Sequence, residues 1–153
     1  MGFYKSNDSS DPGNQRMIQN FRPYMKICEK LATNASARGN TAVGSLLIYE
    51  NNIVAQAEEA TFSKQDISCH AELEVIKKAR KILGRDMAGA TLITTNEPCV
   101  MCSYAIRFHG ISTVVFKNRS EWVGGASSSF NLLTSKDVPP TWGDPVRCIL
   151  LNK

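Results

Sequence analysis

The feature that most constrains this chain of 153 residues is a pair of cysteines, Cys99 and Cys102, separated by two residues. Two thiols at this spacing can act together on one metal ion or in one redox reaction. Pro98 precedes the pair, and the residues that follow have helical periodicity, so one helical turn would present both sulfurs on the same side. Taken alone, the pair could be a redox dithiol, two ligands of a zinc knuckle or a chance spacing.

Hydrophobic periodicity in the first half predicts a helix followed by a hairpin. Residues 1–14 are polar and rich in turn formers, which predicts a flexible N-terminal tail before a single domain at 15–153. Helical spacing then runs from about Phe21 to Ser36. Two strand-like runs flank Asn51 and Asn52, a pair that tolerates positive φ and so favours a tight hairpin.

The second half alternates helices with strands. Segment 61–68 is predicted to be a loop, helices are predicted at 69–84 and 99–110, and strands at 89–95, 111–116 and 146–152. Between the last two strands, segment 122–135 is expected to be a glycine- and serine-rich loop that leads into a short helical turn, and 138–145 is expected to be a loop. Helical crossovers make the strands they join parallel and cover the faces of the sheet with helices. The sequence therefore predicts an α/β fold.

His70 and Glu72 open the helix that precedes the cysteine pair. Because this element order can bring the starts of neighbouring helices to one edge of the sheet, His70 can join Cys99 and Cys102 there. Three protein ligands leave one position of a tetrahedral zinc ion open, which is typical of a catalytic site, whereas a fourth ligand would make the site structural. The remaining cysteines are predicted not to bind the metal: Cys28, Cys69 and Cys148.

The segments "HAE" at 70–72 and "PCVMC" at 98–102 form the H-x-E…P-C-x-x-C signature of zinc-dependent deaminases. On these motifs the chain is identified as a member of the cytidine deaminase-like superfamily. The segments "AVGSLLI", "NEPCVMCSYAI" and "ISTVVF" resemble the guanine deaminase and tRNA adenosine deaminase branch. The resemblance, over about 21–151, implies a three-layer α/β/α fold with a mixed five-stranded sheet and a homodimer. It also implies a Zn²⁺ cofactor, Glu72 as the catalytic acid and base, and three metal ligands: His70, Cys99 and Cys102.

Substrate contacts are implied by the same resemblance. Members of this branch usually have an asparagine where this chain has Glu59. A carboxylate only accepts hydrogen bonds, so Glu59 would favour a ring edge rich in N–H donors, or sugar hydroxyls. Ala71, Phe62 and Trp122 are the other expected contacts, although the aromatic residues could instead serve packing. The glycine- and serine-rich segment that begins at Trp122 is suited to a loop that moves over a ligand.

The favoured substrate is a free purine or related aminated heterocycle, such as guanine, or its nucleoside. A tRNA is the alternative, and it is weakened because the tRNA enzymes that the chain resembles usually carry a basic helix after the last strand. A cytosine- or cytidine-type pyrimidine is a further alternative, and so is a non-catalytic zinc scaffold. A net charge of +4 fits an anionic or nucleic-acid partner but equally fits an ordinary surface.

No apolar run approaches the roughly 20 residues that a membrane span requires, so no membrane partner is expected. The chain has five cysteines, an odd number, and its start lacks the apolar region of a signal peptide. Both features favour thiols or metal ligands over a disulfide framework. We therefore expect a cytoplasmic protein.

Overall fold

The computed structural model describes residues 10–151 of the chain. Helix α1 spans Pro12–Ala37, and strands β1 at Gly44–Tyr49 and β2 at Asn52–Glu58 form a hairpin. Helix α2 is a single turn at Thr61–Lys64, and helix α3 spans Ala71–Leu83. Strand β3 at Thr91–Asn96, helix α4 at Val100–Phe108, strand β4 at Thr113–Asn118 and strand β5 at Arg147–Leu150 follow.

The five strands form one mixed sheet in the order β2-β1-β3-β4-β5. Strand β1 pairs antiparallel with both β2 and β3. Strands β3, β4 and β5 are parallel, with Leu92 opposite Val114 and Val114 opposite Cys148. The prediction of parallel later strands in a mixed five-stranded sheet is confirmed.

Helices cover both faces of the sheet, so the fold has the three layers that were predicted. Alternate strand residues point to opposite faces. On one face, α1 packs over an apolar cluster of the central strands: Leu46, Ile93, Val115 and Ile149. On the other face, α3 and α4 pack over the neighbouring positions: Leu47, Leu92, Val114 and Phe116. Because both faces are buried, the central strands read as continuous apolar runs.

Helix α1 begins at Pro12, well before the predicted start near Phe21. The Asp11 carboxylate caps the helix by accepting a hydrogen bond from the Asn14 N–H, and Pro12 occupies a first-turn position that proline tolerates. These polar capping residues resemble a loose tail in sequence. Of the predicted tail, residues 12–14 are therefore helical, and residues 1–9 lie outside the described residues.

Three local predictions were also wrong. The hairpin turn was predicted at Asn51 and Asn52, but Asn52 already pairs with Tyr49 in the sheet. The turn is therefore centred on Glu50 and Asn51, both of which have positive φ. Segment 61–64 is helical, whereas a loop was predicted. A short helical turn was predicted within 122–135, whereas the 3₁₀ turn of the described connection from β4 to β5 lies later, at Pro140–Trp142. None of the described helices combines the length and hydrophobicity that crossing a membrane requires.

Candidate functional site

Two helix starts bring the predicted metal ligands together at one edge of the sheet. His70 is the N-cap of α3, Cys99 is the N-cap of α4, and Cys102 lies in the first turn of α4. Strand β3 ends at Asn96, and Glu97 and Pro98 alone connect it to Cys99 at the start of α4. The ligand atoms of these three residues all lie within 4.8 Å of one another.

The distances within this cluster match those of a tetrahedral metal site. Nδ1 of His70 lies 3.5 Å from Sγ of Cys99 and 3.5 Å from Sγ of Cys102. For zinc with Zn–S near 2.3 Å and Zn–N near 2.0–2.1 Å, tetrahedral geometry puts sulfur and nitrogen about 3.5 Å apart. Two thiols and one imidazole are also the donor set that zinc prefers, so these residues fit a zinc ion with one position left open.

The cysteine pair is electrostatically prepared for a cation. A hydrogen bond from the Cys102 thiol, followed by one from His70, lowers the pKa of the Cys99 thiol to about 4. Because Cys102 supplies that hydrogen bond and is buried, its own pKa is raised. The positive end of α4 lies at both sulfurs and favours their thiolate forms. A bound metal ion would therefore meet one thiolate already formed and displace the proton from the other.

Glu72 lies directly beside the cluster with its carboxylate buried. Oε2 of Glu72 is 3.6 Å from Sγ of Cys102, and Oε1 accepts a hydrogen bond of 2.8 Å from Oγ1 of Thr94. Burial raises the pKa of the Glu72 carboxyl, while the helix backbone and the Thr94 hydroxyl act in the opposite direction. One oxygen is thus anchored to β3, and the other faces the metal ligands.

A pocket of about 160 Å³ opens above the cluster, at the edge where β2, β3 and β4 end. The lining residues lie just before β1, at or just after the ends of β2, β3 and β4, and at the starts of α3 and α4: Thr41, Val43, Glu59, Thr61, His70, Glu72, Asn96, Glu97, Cys99 and Ser120. Ligand sites in α/β proteins commonly lie at the carboxyl ends of strands. The pocket is therefore a partly open space whose wall includes the metal ligands His70 and Cys99 and the carboxylate of Glu72.

Glu59 forms part of the pocket wall, as its sequence position suggested. Its side chain is only 4% exposed. Oε1 accepts a hydrogen bond of 2.6 Å from the Thr61 N–H, whereas Oε2 is buried and has no hydrogen-bond partner. A buried acceptor without a partner is costly unless a ligand supplies the donor.

The other residues expected to contact the substrate occupy different surroundings. Phe62 and Trp122 are 73% and 85% exposed. They adjoin Thr61 and Ser120, which line the pocket, but they do not line it themselves. Ala71 is fully buried beneath its neighbours and is likewise absent from the pocket lining. Their contacts with a substrate therefore remain predictions.

Two further residues of the site were missed by sequence reasoning. Thr94 lies within the buried run of β3, where it resembles an ordinary strand residue, yet it holds Glu72. Glu97 resembles a polar strand end, but its carboxylate is buried and lies in the pocket wall. The position of Glu97 two residues before Cys99 is the one sequence signal that could have drawn attention to it.

Comparisons with known proteins agree with this geometry. Residues 19–118 match the family described as the cytidine and deoxycytidylate deaminase zinc-binding region. A tRNA-specific adenosine deaminase of Aquifex aeolicus (strain VF5) is 33% identical over 111 residues, which cover 72% of this chain and 74% of that protein.

Solved structures from two groups of deaminases share the fold. One, from a study of A-to-I editing by tRNA:A34 deaminases at the wobble position of transfer RNA, has a TM-score of 0.73 at 27% identity. That alignment covers 81% of this chain and 88% of the other. The guanine deaminase of Bacillus subtilis has a TM-score of 0.60 at 27% identity, over 63% of each chain. Together with the thiol and imidazole cluster, these matches show that the chain belongs to the cytidine and deoxycytidylate deaminase zinc-binding family and is a zinc-dependent hydrolytic deaminase.

Proposed function

We propose that this protein hydrolytically deaminates a free aminated purine, or the corresponding nucleoside, with Glu72 as the group that moves protons. The observation that supports the proposal most directly is the position of the Glu72 carboxylate, at the base of a pocket and beside the cluster of His70, Cys99 and Cys102. A redox dithiol would require neither the histidine nor this carboxylate.

Zinc, when bound by the three ligands, lowers the pKa of a water molecule so that it can act as a nucleophile near neutral pH. Glu72 takes a proton from the attacking water through Oε2, while Thr94 holds Oε1 in place. As the water oxygen adds to the ring carbon, Glu72 returns that proton to the neighbouring ring nitrogen. The second water proton then passes through Glu72 to the amine, the carbon–nitrogen bond breaks and ammonia leaves. Each water proton is accounted for, and no oxidant is needed.

Glu59 supports a substrate that presents a hydrogen-bond donor. Its partnerless Oε2 only accepts, so it would pair with a ring N–H of a free base or with a hydroxyl of a ribose. The ring nitrogens N3 and N7 of adenine accept hydrogen bonds and would be repelled from this carboxylate. A free base such as guanine, or a nucleoside, therefore suits the wall better than an adenine contacted through those nitrogens.

A tRNA adenosine is the second candidate, favoured by two comparisons. The similar protein of Aquifex aeolicus is a tRNA-specific adenosine deaminase, and the structure with a TM-score of 0.73 comes from work on tRNA:A34 deaminases. The exposed rings of Phe62 and Trp122, next to pocket-lining residues, are also of the kind on which unpaired bases stack. These observations make tRNA a required member of any substrate panel.

The test is ammonia release from guanine, guanosine, adenine, adenosine, cytosine, cytidine and tRNA, with zinc counted in the same sample. We expect a purine base or nucleoside to be the best substrate. Glu72→Gln should abolish turnover, whereas Glu74→Gln, in the same helical turn but in surface ion pairs with Lys64 and Lys77, should not. Equal turnover by wild type and Glu72→Gln would refute the proton-transfer role. Exclusive activity on tRNA would replace the proposed substrate by the second candidate.

Glu59→Gln tests the substrate-selecting role separately. Because the Thr61 N–H requires an oxygen at the Oε1 position, the new amide nitrogen would take the place of Oε2 and face the substrate. We expect KM to rise for donor-bearing substrates. Glu58→Gln is the matched control, since Glu58 pairs with Arg38 and does not line the pocket. An unchanged order of substrate preference in Glu59→Gln would contradict the role.

Cytoplasmic location and a homodimer remain part of the proposal. The mass in solution, measured by light scattering, tests the dimer, and a monomer at working concentration would contradict it. A purely structural zinc domain would need a closed metal site, but within residues 10–151 the cluster contains three ligands and opens into the pocket.

A further inference from the structure

Glu97 is the most heavily hydrogen-bonded side chain of the pocket wall. Its carboxylate is 2% exposed and accepts four hydrogen bonds from the loop that follows β4. Oε1 accepts from the N–H groups of Ala126 and Ser127, at 2.9 and 2.6 Å. Oε2 accepts from the Ser120 N–H at 3.0 Å and the Ser127 hydroxyl at 2.6 Å. Hydrogen-bond donors of the loop at 119–127 thus surround one carboxylate, in the way that backbone N–H groups surround a bound anion.

The close approach requires the two glycines of this loop. A Cβ on Gly124 would lie 2.4 Å from Cδ of Glu97, and a Cβ on Gly125 would lie 2.0 Å from Oγ of Ser103 in α4. The Gly125 N–H also donates to the Pro98 carbonyl at 2.8 Å. The glycines that suggested a loop moving over a ligand therefore serve close packing, and four hydrogen bonds to Glu97 would have to break before the loop could move.

This loop is connected to the pocket through Ser120. Ser120 and Glu97 both line the pocket, and the Ser120 hydroxyl donates to the Glu97 carbonyl at 2.9 Å. Two residues further on, Trp122 is exposed. Since both carboxylate oxygens of Glu97 are occupied by the loop, Glu97 has little capacity left for a substrate, and its effect on the site must pass through the loop.

We propose that Glu97 is a positioning residue, which fixes the loop at 119–127, and with it the pocket-lining Ser120, and so sets substrate affinity. The kinetic part rests on the proposed deaminase function. An interaction that helps to bind substrate and transition state equally affects KM and leaves kcat unchanged. Loss of the Glu97 contacts should therefore appear in KM.

The substitution that tests this is Glu97→Gln. A glutamine amide has one acceptor oxygen and one NH₂ group, so at least one backbone N–H of the loop would face a donor in place of an acceptor. We expect KM to rise about tenfold, the size of one lost hydrogen bond to a charged group, with kcat within about twofold of wild type. Zinc content should be unchanged. Glu121→Gln, an exposed carboxylate in the same loop, is the matched control and should leave both constants unchanged.

Limited proteolysis measures the loop without any substrate. Chymotrypsin cleavage after Trp122, read by mass spectrometry, should accelerate about tenfold in Glu97→Gln, because local opening becomes easier by one hydrogen bond. Cleavage after Phe62, which is exposed on α2 and outside this loop, is the internal reference and should not change. Should Glu97→Gln fail to fold, Ser127→Ala removes one of the four hydrogen bonds and should shift both measurements in the same direction.

Three results would overturn the inference. Unchanged cleavage after Trp122 would mean that Glu97 does not hold the loop. Faster cleavage with an unchanged KM would mean that the loop does not serve the pocket. A fall in kcat and zinc content at constant KM would mean that Glu97 acts on Cys99. If wild type deaminated no member of the panel, the proposed function would fail, while the cleavage ratio would still decide whether Glu97 fixes the loop.

Discussion

Replacing Thr94 by valine removes one hydrogen bond from Glu72, the carboxylate that we propose is catalytic, and little else. The Thr94 side chain is fully buried, and its hydroxyl donates to Oε1 of Glu72 at 2.8 Å. Valine has nearly the same shape and favours a strand, so β3 should keep its packing. A hydrogen bond to a charged group contributes about 1.5–3 kcal/mol, which corresponds to a factor of about 10–100 in rate.

We expect the loss to fall on kcat, since Thr94 holds the carboxylate that we propose moves protons and does not itself line the pocket. The assay is steady-state ammonia release with zinc content measured in parallel. Thr94→Ser keeps the hydroxyl and should retain most of kcat. Thr95 is the neighbour of Thr94 on β3, and its buried hydroxyl accepts from the Gly44 N–H of β1. Thr95→Val removes that hydroxyl and should lower stability without lowering kcat. A kcat for Thr94→Val within about threefold of wild type would refute the positioning of Glu72 by Thr94.

Other substitutions test the scaffold and the metal. Arg107→Met should lower the free energy of unfolding by about 3–5 kcal/mol in a guanidinium titration, because the buried guanidinium donates to five backbone carbonyls at 132–135 and 142–143. A loss below about 1 kcal/mol would show that this network is not structural. Gly44→Ala should cost about 1–3 kcal/mol by the same titration, since its Cβ would lie 2.1 Å from the Cys28 carbonyl oxygen, and wild-type stability would contradict that contact. Removal of zinc by a chelator, or Cys102→Ala, should abolish ammonia release. The X-ray absorption spectrum should show two sulfur ligands per zinc in wild type only. Activity in zinc-free protein would exclude the metal mechanism.

The ligand cluster could be predicted because the signals that define it are local. His70 and Glu72 lie two residues apart at one helix start, and Cys99 and Cys102 lie within one turn at the next. Such spacings fix relative direction within a helix, and the alternation of strands and helices brings the two starts to one edge. The start of α1 was harder to predict, because its capping residues near Asp11 are the same residue types that form turns.

The surroundings of the cluster depend on contacts between distant parts of the chain. The hydrogen-bond donors to Glu97 lie 23 to 30 residues after Glu97 in the chain. Glu72, which accepts from Thr94, lies 22 residues before Thr94. No periodicity encodes which strand-end carboxylate will meet which loop. For the same reason, the aromatic character of Phe62 and Trp122 suggested stacking on a base, but their exposure could only come from the structure.

Two carboxylates of the pocket wall illustrate why the pattern of hydrogen bonds decides function. Glu59 and Glu97 are both buried and both line the pocket. Both oxygens of Glu97 are occupied by the loop, so this residue can shape the wall but has little left to offer a ligand. Glu59 keeps Oε2 free of any partner among residues 10–151, so a ligand that supplies a donor would remove the cost of burying this acceptor. We therefore expect the choice between a donor-bearing base, a nucleoside and a tRNA adenosine to depend on what this single oxygen accepts.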